Sequence, residues 1–251
     1  PAAQNADSSV ASEEPADGQN EDQRPVLAQA IEAANAAHHP RVVTLLTPWL
    51  KNKNSREDTA AGRHVLGRSL VALGQHEEAI KTLKKALSGA RKRHTSLADD
   101  LRWWLAQAQE GMGNHLAAAK TYGLITRDKY TERGIDAMWR RSVCFEHLNH
   151  MGSARRVLES FINTFPDAPR AWEARVRLGR ILSHVGKHQE AIKLFRKVLR
   201  YVPRSAAAST ATLELQALVD RGNKSAAIDS MSSQVDHLNW LVEERRFEEG
   251  L

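Results

Sequence analysis

The sequence predicts an all-α fold, a right-handed superhelical solenoid of helix-turn-helix repeats. Three observations carry this. Apolar residues recur at intervals of three and four, as in Leu178, Ile181, Leu182 and Val185, and no run alternates with period two. Gly74, Gly113, Asn149, Gly186 and Gly222 fall between the periodic segments, and Gly and Asn accept the left-handed backbone that closes a helix. The chain is also self-similar. Aligned on the residue eight before each turn (Leu66, Leu105, Arg141, Leu178 and Glu214), it repeats at intervals of 39, 36, 37 and 36 residues. Thirteen residues after each anchor stands alanine: Ala79, Ala118, Ala154, Ala191 and Ala227. Seventeen after stands a large residue, Leu83, Tyr122, Leu158, Phe195 or Met231. A small residue in the second helix lets the first approach, and a large one seals the gap between them.

The elements follow in order. Residues 1–25 hold six acids against the single base Arg24 and almost no large apolar side chain, so they read as a disordered acidic leader. Residues 26–251 are left with a net charge of about +11. A start rich in Ala, Pro and Ser with no initiator Met suits the N-terminus left after a signal peptide is removed, although the segment has no apolar h-region of its own. The expectation is an exported, periplasmic protein, with the cytoplasm as the alternative. Residues 26–52, anchored on Gln29, place Val42, Leu46, Trp49 and Leu50 at equivalent positions and read as a worn first pair acting as a cap. About six helix pairs, a dozen antiparallel helices, fill residues 26–246. At the far end Arg245, Phe247 and Gly250 fall where a repeat has its turn, aromatic and small residue. Residues 247–251 therefore read as the start of a further helix or a short tail.

Residues 178–203, LGRILSHVGKHQEAIKLFRKVLRYVP, resemble the tetratricopeptide-repeat pattern L-G-x2-Y-x3-G-x4-A-x3-F-x2-A-x4-P. Residues 66–87 match it nearly as well, and 141–166 match through Phe145, Asn149, Ala154, Leu158, Phe161 and Pro166, with Ser142 where the family has Gly. Periods of 36 to 39 exceed the family's usual 34, and Arg63, Arg102, Met138, Arg175 and Ala211 occupy the position where many repeats carry Trp. Such degenerate repeats resemble those of bacterial envelope proteins, including outer-membrane assembly factors and the superhelical region of soluble lytic transglycosylases. The resemblance implies a concave groove lined by the first helix of each pair. The family's geometry puts groove-facing residues two before and two, five and six after the anchor. That selects His64, Arg68, Trp103, Gln107, Trp139, Glu146, His147, Arg180 and His184 as partner-binding residues. Two readings follow. In one the chain is a non-catalytic scaffold for a partner peptide or protein; in the other it is the non-catalytic arm of a peptidoglycan lytic transglycosylase or related envelope enzyme.

Composition and motifs point away from chemistry in this chain. With 41% apolar and 6% aromatic residues and a mean hydropathy of -0.51, it packs but does not look like a compact α/β enzyme. No stretch approaches the roughly 18 to 20 apolar residues of a membrane-spanning helix. The single cysteine, Cys144, excludes an internal disulfide framework and a Cys-based zinc site. Glu159-Ser160-Phe161 is similar to the Glu-Ser opening of a lytic transglycosylase active site, but Leu158 and Phe161 are already committed to packing. Of the eleven histidines, His147-x2-His150 straddles a helix end and His38-His39 precedes a proline, and no Glu partner motif stands beside either pair. No phosphate-binding glycine loop occurs. No catalytic, cofactor or metal residue is expected. The bases Lys81, Lys84 and Lys85, Arg170, Arg175, Arg177 and Arg180, and Lys193, Arg196 and Lys197 read mainly as solvated helix faces. They lack the interleaved aromatics of a nucleic-acid surface, and suit an acidic protein, peptidoglycan or another anionic polymer.

Overall fold

The computed structural model describes residues 25–51, 56–90, 95–125 and 131–227. The leader up to residue 24, Met231 and the segment 247–251 lie outside them. Among the described residues there is no strand. Eleven α-helices follow one another: α1 (Val26–Asn35), α2 (His39–Trp49), α3 (Arg56–Ala72), α4 (His76–Ala90), α5 (Thr95–Gly111), α6 (His115–Ile125), α7 (Glu132–His147), α8 (Met151–Thr164), α9 (Ala171–His184), α10 (His188–Tyr201) and α11 (Ala206–Asp220), then a 3-10 turn over Lys224–Ala226. Each helix packs against the next in sequence order, as short connections require of antiparallel neighbours. None is long and apolar enough to cross a membrane.

One hydrogen-bond pattern closes the first helix of every pair. Gln75 N–H donates to the Leu70 carbonyl at 2.9 Å, and Asn114, His150, Lys187 and Asn223 do the same to Gln109, Phe145, Leu182 and Leu218. The residue before each donor (Gly74, Gly113, Asn149, Gly186 or Gly222) has a φ between +56° and +88°, which the wrapped ending demands. The worn first pair closes the same way. His38 N–H reaches the Ala33 carbonyl at 2.8 Å, but the left-handed position is held by Ala37, at φ 59°.

The alanine register builds the core. Ala79, Ala118, Ala154 and Ala191 are fully buried, as are Leu83, Tyr122, Leu158 and Phe195 four residues on. The glycine beside the anchor explains how close the helices come: a Cβ on Gly67 would stand 2.4 Å from Leu83 Cδ2, and one on Gly179 2.5 Å from Phe195 Cε1. In the third repeat Ser142 takes that place, fully buried, its hydroxyl donating to the Trp139 carbonyl at 2.7 Å. The last repeat departs from expectation. Ala227 is exposed and Ala226 is the buried alanine. A 3-10 turn advances 120° per residue rather than 100°, so entry through Lys224–Ala226 brings the inward position one residue early. Arg196 Nη2 fixes this turn by donating to the carbonyls of Ser225 and Ala227.

The pairs form two layers. First helices touch first helices: α1 packs on α3, α3 on α5, α5 on α7, and α9 on α11. The second helices make no such contacts with one another among the described residues. The inner layer is interrupted once. The backbones of α7 and α9 do not meet, and side chains bridge the space between them.

Candidate functional site

The bridge between α7 and α9 centres on Trp139. Its half-buried indole lies 4.4 Å from the Arg177 guanidinium of α9 and 5.5 Å from that of Arg170, the residue just before α9. Guanidinium groups favour aromatic faces in this way. Arg177 also pairs with Glu146 at 2.6 Å, and Arg170 with Asp136. The same arrangement recurs along the inner layer, with Arg133 pairing with Asp100 at 3.0 Å and Arg180 with Glu214 at 2.6 Å. Every one of these pairs joins first helices of neighbouring repeats, so the partners lie about one period apart in sequence.

Of the four arginines read as a solvated face, Arg170 and Arg180 are exposed, each in an ion pair, whereas Arg175 and Arg177 are drawn into the wall. Arg175 is only 6% exposed, and its guanidinium lies 4.3 Å from the Trp172 ring; burial holds its pKa below the usual arginine range. The residue sits where many repeats of the resembling family carry Trp, so its methylene stem fills a core position.

The residues selected from the sequence are spread along this wall. Arg68 donates to the Ala34 carbonyl at 3.4 Å and lies 5.9 Å from the Trp104 ring. His64 is half-buried, with Nε2 enclosed and unpartnered; desolvation lowers its pKa, against the pull of Asp100. Trp103 is 8% exposed, held against Tyr122 at a ring separation of 5.6 Å and under Arg133 at 5.1 Å. Its indole is a packing element between α5, α6 and α7. Gln107 is half-buried on α5. His147 is exposed and stacks on His115, with ring centroids 4.6 Å apart.

Along α9, between the end of α7 and the start of α11, a cavity of about 800 Å³ opens. It brings together three of the selected residues, Glu146, Arg180 and His184. Its apolar side is made by Met151, Trp172, Val176 and Ile181, and its far side by Ser205, Ala206, Ala207 and Thr210 at the start of α11. Trp172 is steadied by stacking on Tyr201, ring centroids 5.8 Å apart. Ser205 caps α11 by accepting from Ala208 N–H at 3.1 Å, which fixes the small residues that leave the cavity open. The sequence reasoning missed Trp172, Met151 and the α11 residues. Val176 was within reach, since it stands two before its anchor, in register with His64, Trp103 and Trp139.

Metal-ligand chemistry among the described residues gathers at Glu110, His115 and Cys144, whose donor atoms lie within 4.8 Å of one another. A lone cysteine can thus join a mixed donor set, which cysteine counting did not reveal. Glu110 and Cys144 are already engaged with protein groups, while His115 Nδ1 is enclosed without a hydrogen-bond partner among the described residues. Glu110 accepts from the Tyr122 hydroxyl at 2.5 Å and faces Arg140 at 3.5 Å. Burial and the adjacent Glu110 charge push the Cys144 thiol up to about 12 and the Tyr122 phenol higher still. Hydrogen bonds from Tyr122 and Cys144 to Glu110 tie α6 and α7 to α5. Glu159 pairs with Arg155 on the α8 surface at 3.1 Å, and Phe161 is core, which accounts for the Glu-Ser-Phe run.

Comparison with known proteins agrees with this geometry. A sequence profile described as Tetratricopeptide repeat matches residues 64–133 and 147–212, more than half of the chain. No curated protein sequence matches the chain. Among solved structures, the kinesin light chain TPR-like repeats of Podosopora anserina are 17% identical with a TM-score of 0.56, covering 72% of this chain and 96% of that one. MamA of AMB-1 is 14% identical with a TM-score of 0.57, covering 72% and 92%. A tetratricopeptide repeat protein of Parabacteroides merdae is 14% identical with a TM-score of 0.60, covering 84% and 75%. At these identities the likeness is one of fold.

Proposed function

The chain belongs to the tetratricopeptide-repeat family, and we propose that it is a non-catalytic protein-binding scaffold that holds an extended partner segment on its inner wall. The cavity along α9, reaching from the end of α7 to the start of α11, carries this reading. It measures about 800 Å³, with an apolar wall at Trp172, Val176 and Ile181 and polar groups at Arg180 and His184. Aromatic anchors beside arginine are the residue types that dominate binding hot spots. Arg180 is held by Glu214, so a partner carboxylate would exchange one ion pair for another. Such exchange sets orientation and register more than affinity, and burial against Trp172 supplies the rest.

The partner we propose is acidic, on the strength of the net charge of about +11 over residues 26–251. An anionic polymer such as peptidoglycan would use the same charge but not the apolar wall. A photo-crosslinking amino acid at position 184, and separately at Lys193 on α10, tests the groove. Protein adducts from position 184 alone support it; equal adducts from both, or adducts from 193 alone, overturn it. We further place the scaffold in the bacterial envelope, exported to the periplasm, and keep the arm of a lytic transglycosylase as the alternative role. Both rest on the resemblance of its long, degenerate repeats to those of envelope proteins. Cell fractionation and co-sedimentation with purified peptidoglycan test them, and a cytoplasmic, non-sedimenting protein would overturn both.

A further inference from the structure

Two of the five anchor residues are charged; Glu214 is paired with Arg180, and Arg141 is the other. Arg141 stands where Leu66, Leu105 and Leu178 are buried in the core. Its side chain escapes toward α6, where Gly123 makes room for it: a Cβ on Gly123 would stand 3.0 Å from Arg141 Cζ. The equivalent positions in the other repeats are Lys84, Glu159, Arg196 and Ser232, the first three of which are long enough to fill that space. Arg141 Nε is enclosed and has no hydrogen-bond partner. Whereas Arg140 and Arg155 on the same helix pair face Glu110 and Glu159, Arg141 makes no ion pair with a described residue. The ring of Phe145 lies 5.7 Å from its guanidinium.

The charge that does act on Arg141 is another cation. Burial, then Arg156, hold its pKa below the usual arginine range. The two arginines share a cavity of about 460 Å³, lined also by the hydroxyls of Ser153, Ser160 and Thr164 and by no described carboxylate. Arg156 itself reaches only Ser153 Oγ, at 3.5 Å. A half-buried cation without a counter-ion is costly, and a second cation beside it adds repulsion. Replacing a core leucine by arginine, and opening a helix surface with glycine to receive it, is consistent with an anion that binds there.

We propose that this cavity is an oxyanion site for a phosphate-type group, clamped by Arg141 and Arg156. Planar guanidinium forks match phosphate oxygens in pairs. Two cations balance a dianion, and three hydroxyls supply more donors than the two oxygens of a carboxylate would use. The site is separate from the groove along α9 and does not depend on it.

The test uses the full chain without an affinity tag. Inorganic phosphate is titrated against thermal unfolding, with chloride matching the ionic strength. The expected result is a saturable rise in Tm. Arg141→Leu restores the repeat's own residue, so it should unfold at a higher temperature than the parent without phosphate and lose the phosphate response. Arg156→Gln should weaken phosphate binding by about tenfold or more. The same titration with O-phosphoserine separates two sources of the group: tighter binding than inorganic phosphate assigns the site to a phosphorylated partner, and weaker binding to the free ion. A response that does not saturate, or that persists unchanged in Arg141→Leu, overturns the proposal.

Discussion

Gly179 lies so close to Phe195 that a Cβ on the glycine would stand 2.5 Å from the ring, and Phe195 is fully buried with no room to withdraw. The crossing of α9 and α10 is set by this contact. Gly179→Ala should therefore lose roughly 1–3 kcal/mol through overpacking, and Ala191→Leu on the facing helix a similar amount. Gly152 on α8 is the control, since nothing lies within 4 Å of a Cβ there. Gly152→Ala should gain about 0.5 kcal/mol from helix propensity alone. Urea midpoints of the three variants check this; an unshifted Gly179→Ala would show that another contact sets the spacing.

Ala37 holds a left-handed backbone at φ 59°, which costs an L-residue about 1–2 kcal/mol. Glycine removes that strain but adds unfolded-chain entropy of roughly 0.5–1 kcal/mol. Ala37→Gly should thus stabilise the first pair by about 0.5–1 kcal/mol. Hydrogen exchange of the α1 and α2 amides is the direct readout. Faster exchange there in the variant would contradict the argument.

His64 gives the protein an acid-sensitive element. Desolvation lowers its folded-state pKa below 6.5, with Arg68 and Arg133 adding to the shift and Asp100 opposing it. Below about pH 6.5 the unfolded chain then binds the proton more readily than the folded one. The contribution is fully present above that pH and is lost as the pH falls toward the folded pKa. His64→Gln should narrow the stability difference between pH 7.5 and pH 5.5. An identical pH profile in the variant would refute the assignment.

Cys144 is fully buried, and its thiol is pushed up to about 12. The thiolate is the reactive form, so alkylation near pH 8 should wait for the α5–α7 region to open. Labelling by a maleimide is expected to be slow in buffer and complete in denaturant. Rapid labelling of the native chain would place the thiol outside the core.

The repeat was legible because a solenoid imposes the same local problem on every unit. Each pair needs a wrapped helix end and a small residue at the crossing, and the sequence answers with Gly74 or Asn149 and with Ala79 or Ala191. The register slipped at Ala227 because helix type, not residue type, decides which alanine faces inward after Gly222. Trp103 was chosen for a groove by its place in the repeat, yet Tyr122 and Arg133 enclose it, and both come from other helices. The ladder of arginines and acids had a signal that went unread: opposite charges such as Asp100 and Arg133, or Arg180 and Glu214, recur about one period apart. The missing backbone contact between α7 and α9 had no such signal, because a contact that is not made leaves no pattern in a single chain.

That missing contact has a mechanical consequence. A stack of helices resists bending where backbone rests on backbone, and yields where only rotatable side chains carry the load. Between α7 and α9 the inner layer is carried by Trp139, Arg170 and Arg177, while the outer path from α7 through α8 to α9 stays continuous. The loosest inner contact of the array therefore lies at this joint, and Arg177, which spans it, also lines the cavity along α9. If a partner segment is held there as proposed, its shape and the bend of the array at this joint would be coupled through one side chain.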